Sequence, residues 1–329
     1  MPANLPPQYF EAEKRYRQAK TDDEKLKCLQ QMMAIMPKHK GTDKLQADLK
    51  RRISKLKKLA SQQKKISKRA QIFKVEKEGA GQLVLVGPPN VGKSKILTCL
   101  TNANPEIAPY PFTTQKPLPG MMPFDHIQIQ LVDVPPISPD YMEFWVPGII
   151  RNSDGALLVV DLSSDDLIDQ TEMVFKRLWD SKVSLEREDK PIDHRDGIAH
   201  KKTLIIANKN EAEKAKRNLE SLKKIYKDKF PIFSFSAVTK DNLSDLKKTI
   251  YDLLGILRVY TKEPGKKPDY SDPIILKKGG TLLDAALEIH KDFARDLKYA
   301  RIWGKEKYDG QKVQKDYPMQ DEDVVEFHI

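Results

Sequence analysis

The segment Gly87-Pro88-Pro89-Asn90-Val91-Gly92-Lys93-Ser94 fits the pattern G-x-x-x-x-G-K-[ST]. An apolar run, Leu83–Val86, precedes it and a helical stretch, Lys95–Leu100, follows. In that context the pattern is a phosphate-binding loop. The glycines let backbone N–H groups turn inward on a polyphosphate, and the helix N-terminus adds its positive end. Lys93 is placed to reach the β- and γ-phosphates of a nucleoside triphosphate, and Ser94 to ligate Mg2+.

Other candidate residues follow in the order such a site requires. Tyr110-Pro-Phe-Thr113-Thr114 comes next, and Thr114 is the candidate threonine for the metal and the γ-phosphate. Asp133 closes the apolar run Ile127–Val132 and would hold the Mg2+ shell through water. Asn208-Lys209-Asn210-Glu211 closes Thr203–Ala207, in the place of a base-reading N-K-x-D. Ser236-Ala237-Val238 closes Ile232–Phe235 and supplies a further base contact. The candidate nucleotide contacts are therefore Gly87 through Lys95, Asn208, Lys209, Glu211, Ser236, Ala237 and Val238. Ser94, Thr114 and Asp133 form the metal set, and Lys93 and Thr114 the catalytic pair. Asp161, Asp165 and Asp166 crowd another strand end and read as a solvated loop. Cys99 reads as a small buried hydrophobe rather than a nucleophile.

These residues sit at the ends of short β-rich runs, Ala156–Asp161 among them, that alternate with helical stretches. Such alternation predicts an α/β fold, a mostly parallel sheet built from βαβ units. The polar stretch 181–201 reads as a surface loop, His194 and His200 included. A Pro-, Gly-, Lys- and Asp-rich break covers 261–272. After it a short strand (Ile274–Leu276), a helix (Thr281–Asp292), Trp303 and a closing strand (Val324–His328) make a small α+β unit. Ahead of the sheet, residues 1–75 read as helix. Thr21 and Glu24 have capping-box spacing before the stripe Leu26, Leu29, Met33 and Met36. Pro37 to Gly41 breaks it, and Thr42 can cap a second helix carrying Leu45, Leu49, Ile53, Leu56 and Leu59. One apolar face on each predicts a helical hairpin.

The 329 residues include 58 Lys and Arg against 47 Asp and Glu, a net charge of +11, and 39% are hydrophobic. That excludes a wholly disordered chain and predicts two or three domains. Two cysteines, Cys28 and Cys99, are too few for a disulfide framework. No apolar run approaches the length of a membrane helix, and the first residues carry no basic stretch leading into an apolar one. A cytoplasmic protein with no membrane contact is the expectation. The charge is concentrated: residues 1–80 hold 21 basic and nine acidic side chains, and 51–69 hold nine basic and no acidic ones. Such asymmetry predicts a polyanionic partner.

The P-loop GPPNVGKS, PYPFTT with the later PGMM, NKNE and SAVT resemble the Obg family of translation-factor-class GTPases. Leu297-Lys-Tyr-Ala-Arg-Ile-Trp-Gly304, Gln311-Lys-Val313 and Asp321-Glu-Asp-Val-Val-Glu326 are similar to the TGS domain of the developmentally regulated GTP-binding proteins. The resemblance implies a basic helical region at 1–75, a P-loop G domain at 80–258 and a β-grasp TGS domain at 259–329. It further implies GTP and GDP as ligands and Mg2+; with no residue that clearly supplies an arginine finger, slow hydrolysis is the expectation, and so is a monomer. The implied partner is the ribosome or structured RNA, met by the basic helices and the TGS domain, with a protein partner on the TGS domain as another possibility.

The chain departs from the family pattern at several positions. The family's D-x-P-G reads Asp133-Val-Pro135-Pro136, and proline has no N–H to give a γ-phosphate. Ile137 stands where some GTPases place a catalytic glutamine. Lys95 replaces the usual Ser or Thr. Glu211 replaces the aspartate that reads guanine, a variant found in Obg-like ATPases. Two alternatives to a GTPase therefore stay open: an Obg-like ATPase, and a nucleotide-binding RNA or ribosome adaptor with little hydrolysis. Asn90 stands where related GTPases hold a K+ ion between the phosphates.

Overall fold

The computed structural model describes residues 6–19, 22–37, 42–43, 45–57, 73–101, 116–188, 197–305 and 308–328. The chain divides into two compact units, Met1–Lys74 and Val75–Ile329.

In the N-terminal unit, α1 (Pro7–Gln18) and α2 (Asp22–Ile35) are followed by a third helix, α3, over 45–57. The expected hairpin is thus a three-helix unit among the described residues. Its core joins Tyr9 and Ala12 of α1 to Leu29 and Met32 of α2, Met36 just beyond it, and Leu49 of α3. The sequence reading missed α1 as a separate helix because its apolar residues are scattered among charges, too thin a stripe to stand out. Pro7 opens it at a position where a missing N–H costs nothing. Thr42 is buried; its hydroxyl donates to the Pro37 carbonyl at 2.7 Å, and its carbonyl accepts the Gln46 N–H at 2.9 Å. Thr21, Gly41, Leu59 and most of the basic run lie outside the described residues.

The second unit opens with a sheet of β1 (Gln82–Val86), β2 (Leu118–Phe124), β3 (Ile127–Asp133), β4 (Gly155–Asp161), β5 (Val183–Glu186), β6 (Ala199–Asn208) and β7 (Ile232–Ser234). The order is β2-β3-β1-β4-β6-β5, with β7 also paired to β6. Every pairing is parallel except β2 with β3. All five residues of β1 are buried, as expected of a central parallel strand covered on both faces. The helices are α4 (Lys93–Leu100), α5 (Val146–Asn152), α6 (Leu167–Asp180), α7 (Ala215–Tyr226) and α8 (Leu243–Leu254). Leu83, Leu85, Ile96, Leu97, Ile129, Leu157, Leu204 and Phe235 are wholly buried in one cluster beneath the strand ends. Each contributes about 1.5–3 kcal/mol by leaving water, which makes a rigid floor for loops.

Two features differ from expectation. β2 was not anticipated, because Pro119, Gly120 and Pro123 spoil its alternation; at a sheet edge prolines are tolerated. The 181–201 stretch is not simply a loop. It contains β5, and β6 starts early enough to pair Val183 with Ala199. His200 accordingly lies in a strand, its Nδ1 2.9 Å from Glu186 Oε1. His194 lies outside the described residues.

The C-terminal sheet holds β8 (Ile256–Thr261), β9 (Asp269–Lys277), β10 (Tyr299–Trp303), β11 (Gln311–Val313) and β12 (Asp323–His328), in the order β11-β10-β12-β8-β9. Only β12 with β8 is parallel. One face packs on α9 (Leu282–Ile289) and α10 (Lys291–Asp296) through Leu257, Val259, Leu282, Ala286, Ile302 and Val325. Thr281 starts α9 with a reciprocal capping box to Asp284. The single helix expected over Thr281–Asp292 is two, broken at the extended His290. Ile256 already pairs with Lys277, so the expected boundary between 258 and 259 falls inside β8.

Candidate nucleotide-binding site

Parallel crossovers bring the carboxyl ends of β1, β3, β4 and β6 to one edge. Leu85 pairs with Asp133 and Asp161 with Asn208 in register. Ligands of open α/β sheets bind outside this edge.

The loop after β1 needs its glycines. Gly87 has φ 153°, and a Cβ there would sit 2.4 Å from the Val159 carbonyl oxygen. At Gly92, with φ 94°, a Cβ would meet Asn208 Nδ2 at 2.4 Å. Asn90 also takes a left-handed φ of 62°, which asparagine tolerates better than most residues. Gly92 is the N-cap of α4, so the loop delivers its N–H groups to a helix start. Pro88 and Val91 are buried, whereas Pro89, Asn90, Ser94 and Lys95 are exposed.

Lys93 is buried against this loop, its Nζ donating to the Gly87 carbonyl at 3.3 Å and the Pro88 carbonyl at 3.1 Å. Burial lowers its ammonium to about 8, against the opposing pull of Asp133. The Asp133 carboxyl is pushed above its ordinary value by burial, while Ser94, Lys93 and the Val134 N–H hold it down. Ser94 Oγ donates to Asp133 Oδ2. Asp133 Oδ1 is buried with no hydrogen-bond partner. A buried carboxylate oxygen without a donor, beside a serine hydroxyl and a lysine, is the kind of donor set that suits a hydrated Mg2+. Thr113 and Thr114 lie outside the described residues.

The remaining candidates converge on Asn208. It is buried; Nδ2 donates to the Val91 carbonyl at 2.8 Å, and Oδ1 accepts the Ala237 N–H at 3.1 Å. One side chain therefore ties the loop after β1, the end of β6 and the loop after β7. Ser236 Oγ accepts the N–H groups of Val238 and Thr239 at 3.1 and 3.0 Å, closing that third loop on itself. Ala237 is buried, Val238 is exposed, and Cys99, half-buried rather than buried, packs against the core with Sγ 3.4 Å from the Ala237 carbonyl. Glu211 is exposed. Lys209 takes a left-handed φ of 64° and pairs through Nζ with Asp161 Oδ2 at 2.6 Å. Asp161 is not a solvated loop residue: its other oxygen accepts the Ser163 N–H and hydroxyl at 2.8 and 2.7 Å. Asp165 is solvated and pairs with Lys214 at 2.7 Å. Asp161 thus joins the strand-end cluster through Lys209, contrary to the solvated-loop expectation; its place at the end of β4, in register with Asn208, was the available signal.

A glycine-shaped loop leading into a helix, a Ser94–Asp133 pair and converging strand-end loops on a mostly parallel sheet form the G-domain fold of P-loop GTPases, here followed by a TGS domain. The family described as a 50S ribosome-binding GTPase matches residues 82–209, and the TGS domain family matches 257–329. An uncharacterised GTP-binding protein of Methanocaldococcus jannaschii is 27% identical over 92% of this chain and 92% of its own. Developmentally regulated G-protein 1 of Arabidopsis thaliana is 29% identical over 92% of this chain and 90% of its own. A solved GTP-binding protein from Pyrococcus horikoshii is 16% identical with a TM-score of 0.49, covering 75% of this chain and 99% of that one. Over most of its length the chain is thus similar to GTP-binding proteins of the developmentally regulated type. No helix among the described residues is long and apolar enough to cross a membrane.

Proposed function

We propose that the protein binds GTP with Mg2+ and hydrolyses it slowly to GDP and phosphate while in contact with ribosomal or other structured RNA. The observation that carries the nucleotide site is the buried, unpartnered Asp133 Oδ1, set beside Ser94 and Lys93 under the loop of Gly87 to Gly92. In this reading Gly87 through Lys95 cradle the phosphates, and Ser94, Asp133 and Thr114 hold the metal. Asn208, Lys209, Glu211, Ser236, Ala237 and Val238 surround the base. Mg2+ supplies charge neutralisation on the phosphates. Lys93 adds a fixed positive charge, with Thr114 as its catalytic partner.

Slow turnover fits the residue at 137. Ile137 is wholly buried, so no side chain there can orient an attacking water. GTP is favoured over ATP because Asp161 fixes Lys209, whose stem would lie against the base plane; Glu211 keeps a carboxylate for the guanine edge. Asn90, exposed and left-handed, is the residue that would hold K+. The RNA contact rests on the charge of residues 1–80 and on the TGS match. A monomer acting in the cytoplasm completes the reading, with a protein partner on the TGS domain as a further contact.

The test is phosphate release by the full chain, with and without ribosomes, alongside competition among GTP, GDP and ATP. Tight GTP binding with slow release that ribosomes stimulate is the expected result. Tight binding with no release in either condition would remove the hydrolase and leave the nucleotide-binding adaptor, the second reading, which Pro136 favours. Displacement of GTP by ATP at equal concentration would instead identify an ATPase.

A further inference from the structure

Beyond Val134, the stretch that follows Asp133 has no backbone N–H left for a nucleotide. Pro135 and Pro136 have none to give. The next donor, Ile137 N–H, is bonded to the Gly87 carbonyl at 3.1 Å. Beyond it, Ser138 N–H donates to the Tyr141 carbonyl at 2.9 Å. Three consecutive positions, 135 to 137, are thereby closed, and the next is held in a turn.

The stretch is also anchored at both ends. Asp133 is the last residue of β3, paired in register with β1. At the other end Val134, Pro135 and Ile137 are buried, Ile137 completely. Between the anchors two prolines fix their own φ and confine Val134 and Pro135 to extended backbone. Ile137 N–H cannot turn outward without breaking its bond to Gly87 and withdrawing its side chain from the core. GTPase switch loops work by the opposite property: γ-phosphate and metal contacts order them, and hydrolysis releases them.

We propose that Asp133–Ile137 is a fixed strap, and that Pro136 and Ile137 are the specificity-determining residues that make this segment blind to the γ-phosphate. The G domain then holds GTP and GDP without reporting the difference through this loop. Any state-dependent signal must come from another segment. The inference rests on the proposed guanine-nucleotide binding and deepens it.

Hydrogen exchange on the full chain tests it, with peptides covering 134–145 compared in GDP and in a slowly hydrolysed GTP analogue with Mg2+. Binding of both nucleotides is followed in the same samples. The expected result is equal, strong protection at Ile137 in both states. In Pro136→Gly, which restores an N–H, preference for the analogue over GDP should rise about tenfold, the effect of one hydrogen bond to a charged group. Protection at Ile137 that changes with the nucleotide in the natural chain overturns the strap. A folded Pro136→Gly protein with unaltered preference overturns the assignment of Pro136. If neither nucleotide binds, the underlying reading fails and the inference with it; binding of both with a moving segment defeats the inference alone.

Discussion

Arg258 of β8, in the C-terminal sheet, donates from Nη1 to Asp125 Oδ2 at 2.6 Å, in the turn between β2 and β3 of the G-domain sheet. The guanidinium is almost fully buried and also bonds Asp321 at 2.7 Å and Glu322 at 3.1 Å. It lies over the Phe124 and Tyr251 rings, at 5.6 and 5.0 Å from their centroids. Tyr251, on α8, donates its hydroxyl to Asp321 at 2.7 Å. One cation thus fastens the TGS sheet to the hairpin whose second strand ends at Asp133.

Arg258→Met should destabilise the chain by roughly 3 kcal/mol in urea unfolding, since it removes one partner from a buried charged network. Asp125→Asn, at a half-exposed carboxylate, should cost under about 1 kcal/mol. Burial pushes the Asp321 carboxyl up, but hydrogen bonds from Arg258 and Tyr251 hold it below its ordinary 3.8. A depressed carboxylate stabilises the fold above its unfolded value and loses that contribution as pH falls through the folded one. Wild type should therefore lose stability below pH 3.8 more steeply than Arg258→Met. Parallel acid-unfolding curves would refute this.

Lys93 sets a second pH dependence, in the alkaline range. Its ammonium is lowered to about 8 by burial from an ordinary 10.5. Between those values the unfolded chain holds more protons, so the ligand-free protein should gain stability as pH rises across that window. A polyphosphate beside Lys93 favours the charged form, so nucleotide binding takes up a proton above pH 8. Affinity should fall from there by up to about tenfold per pH unit. Lys93→Arg, charged throughout, should flatten the slope whatever its absolute affinity. Calorimetry in buffers of differing ionisation heat measures the proton directly.

Asn208→Ala removes a donor and an acceptor that tie two loops to β6. The Val91 carbonyl and the Ala237 N–H lose their partner at a buried position. A loss of about 1–3 kcal/mol in stability is expected. Nucleotide affinity should fall further than for Asp161→Asn, which only frees Lys209. Equal affinities for the two variants would contradict the staple.

For the RNA contact, the expected signature is electrostatic. Binding to structured RNA should weaken linearly on a log–log plot against salt. Replacing Lys64, Lys65, Lys68 and Arg69 with glutamine should lower that slope by roughly three. A slope that does not move would assign the contact elsewhere.

Much of the nucleotide site was legible because its chemistry is local. Gly87, Gly92, Lys93 and Ser94 are specified by the backbone conformation and helix start that a phosphate loop needs, all within one short stretch. The alternation of apolar runs and helices likewise predicts a parallel sheet, whatever the details of packing. The edge strand β2 escaped because its prolines obey an edge rule that only a neighbour such as β3 can reveal. Tertiary structure decided the joining. Asn208 lies 117 residues from Val91, Lys209 lies 48 from Asp161, and Arg258 lies 133 from Asp125. Periodicity, capping and turn preferences act over a few residues and carry no information across such distances. Crossover connections and burial make those contacts. So the amino-acid sequence by itself specified a glycine-shaped loop leading into a helix, the form a phosphate site takes. The fold alone determined that Ile137 is buried with its N–H spent on Gly87, because a hydrogen bond across a strand end exists only once both strands are packed.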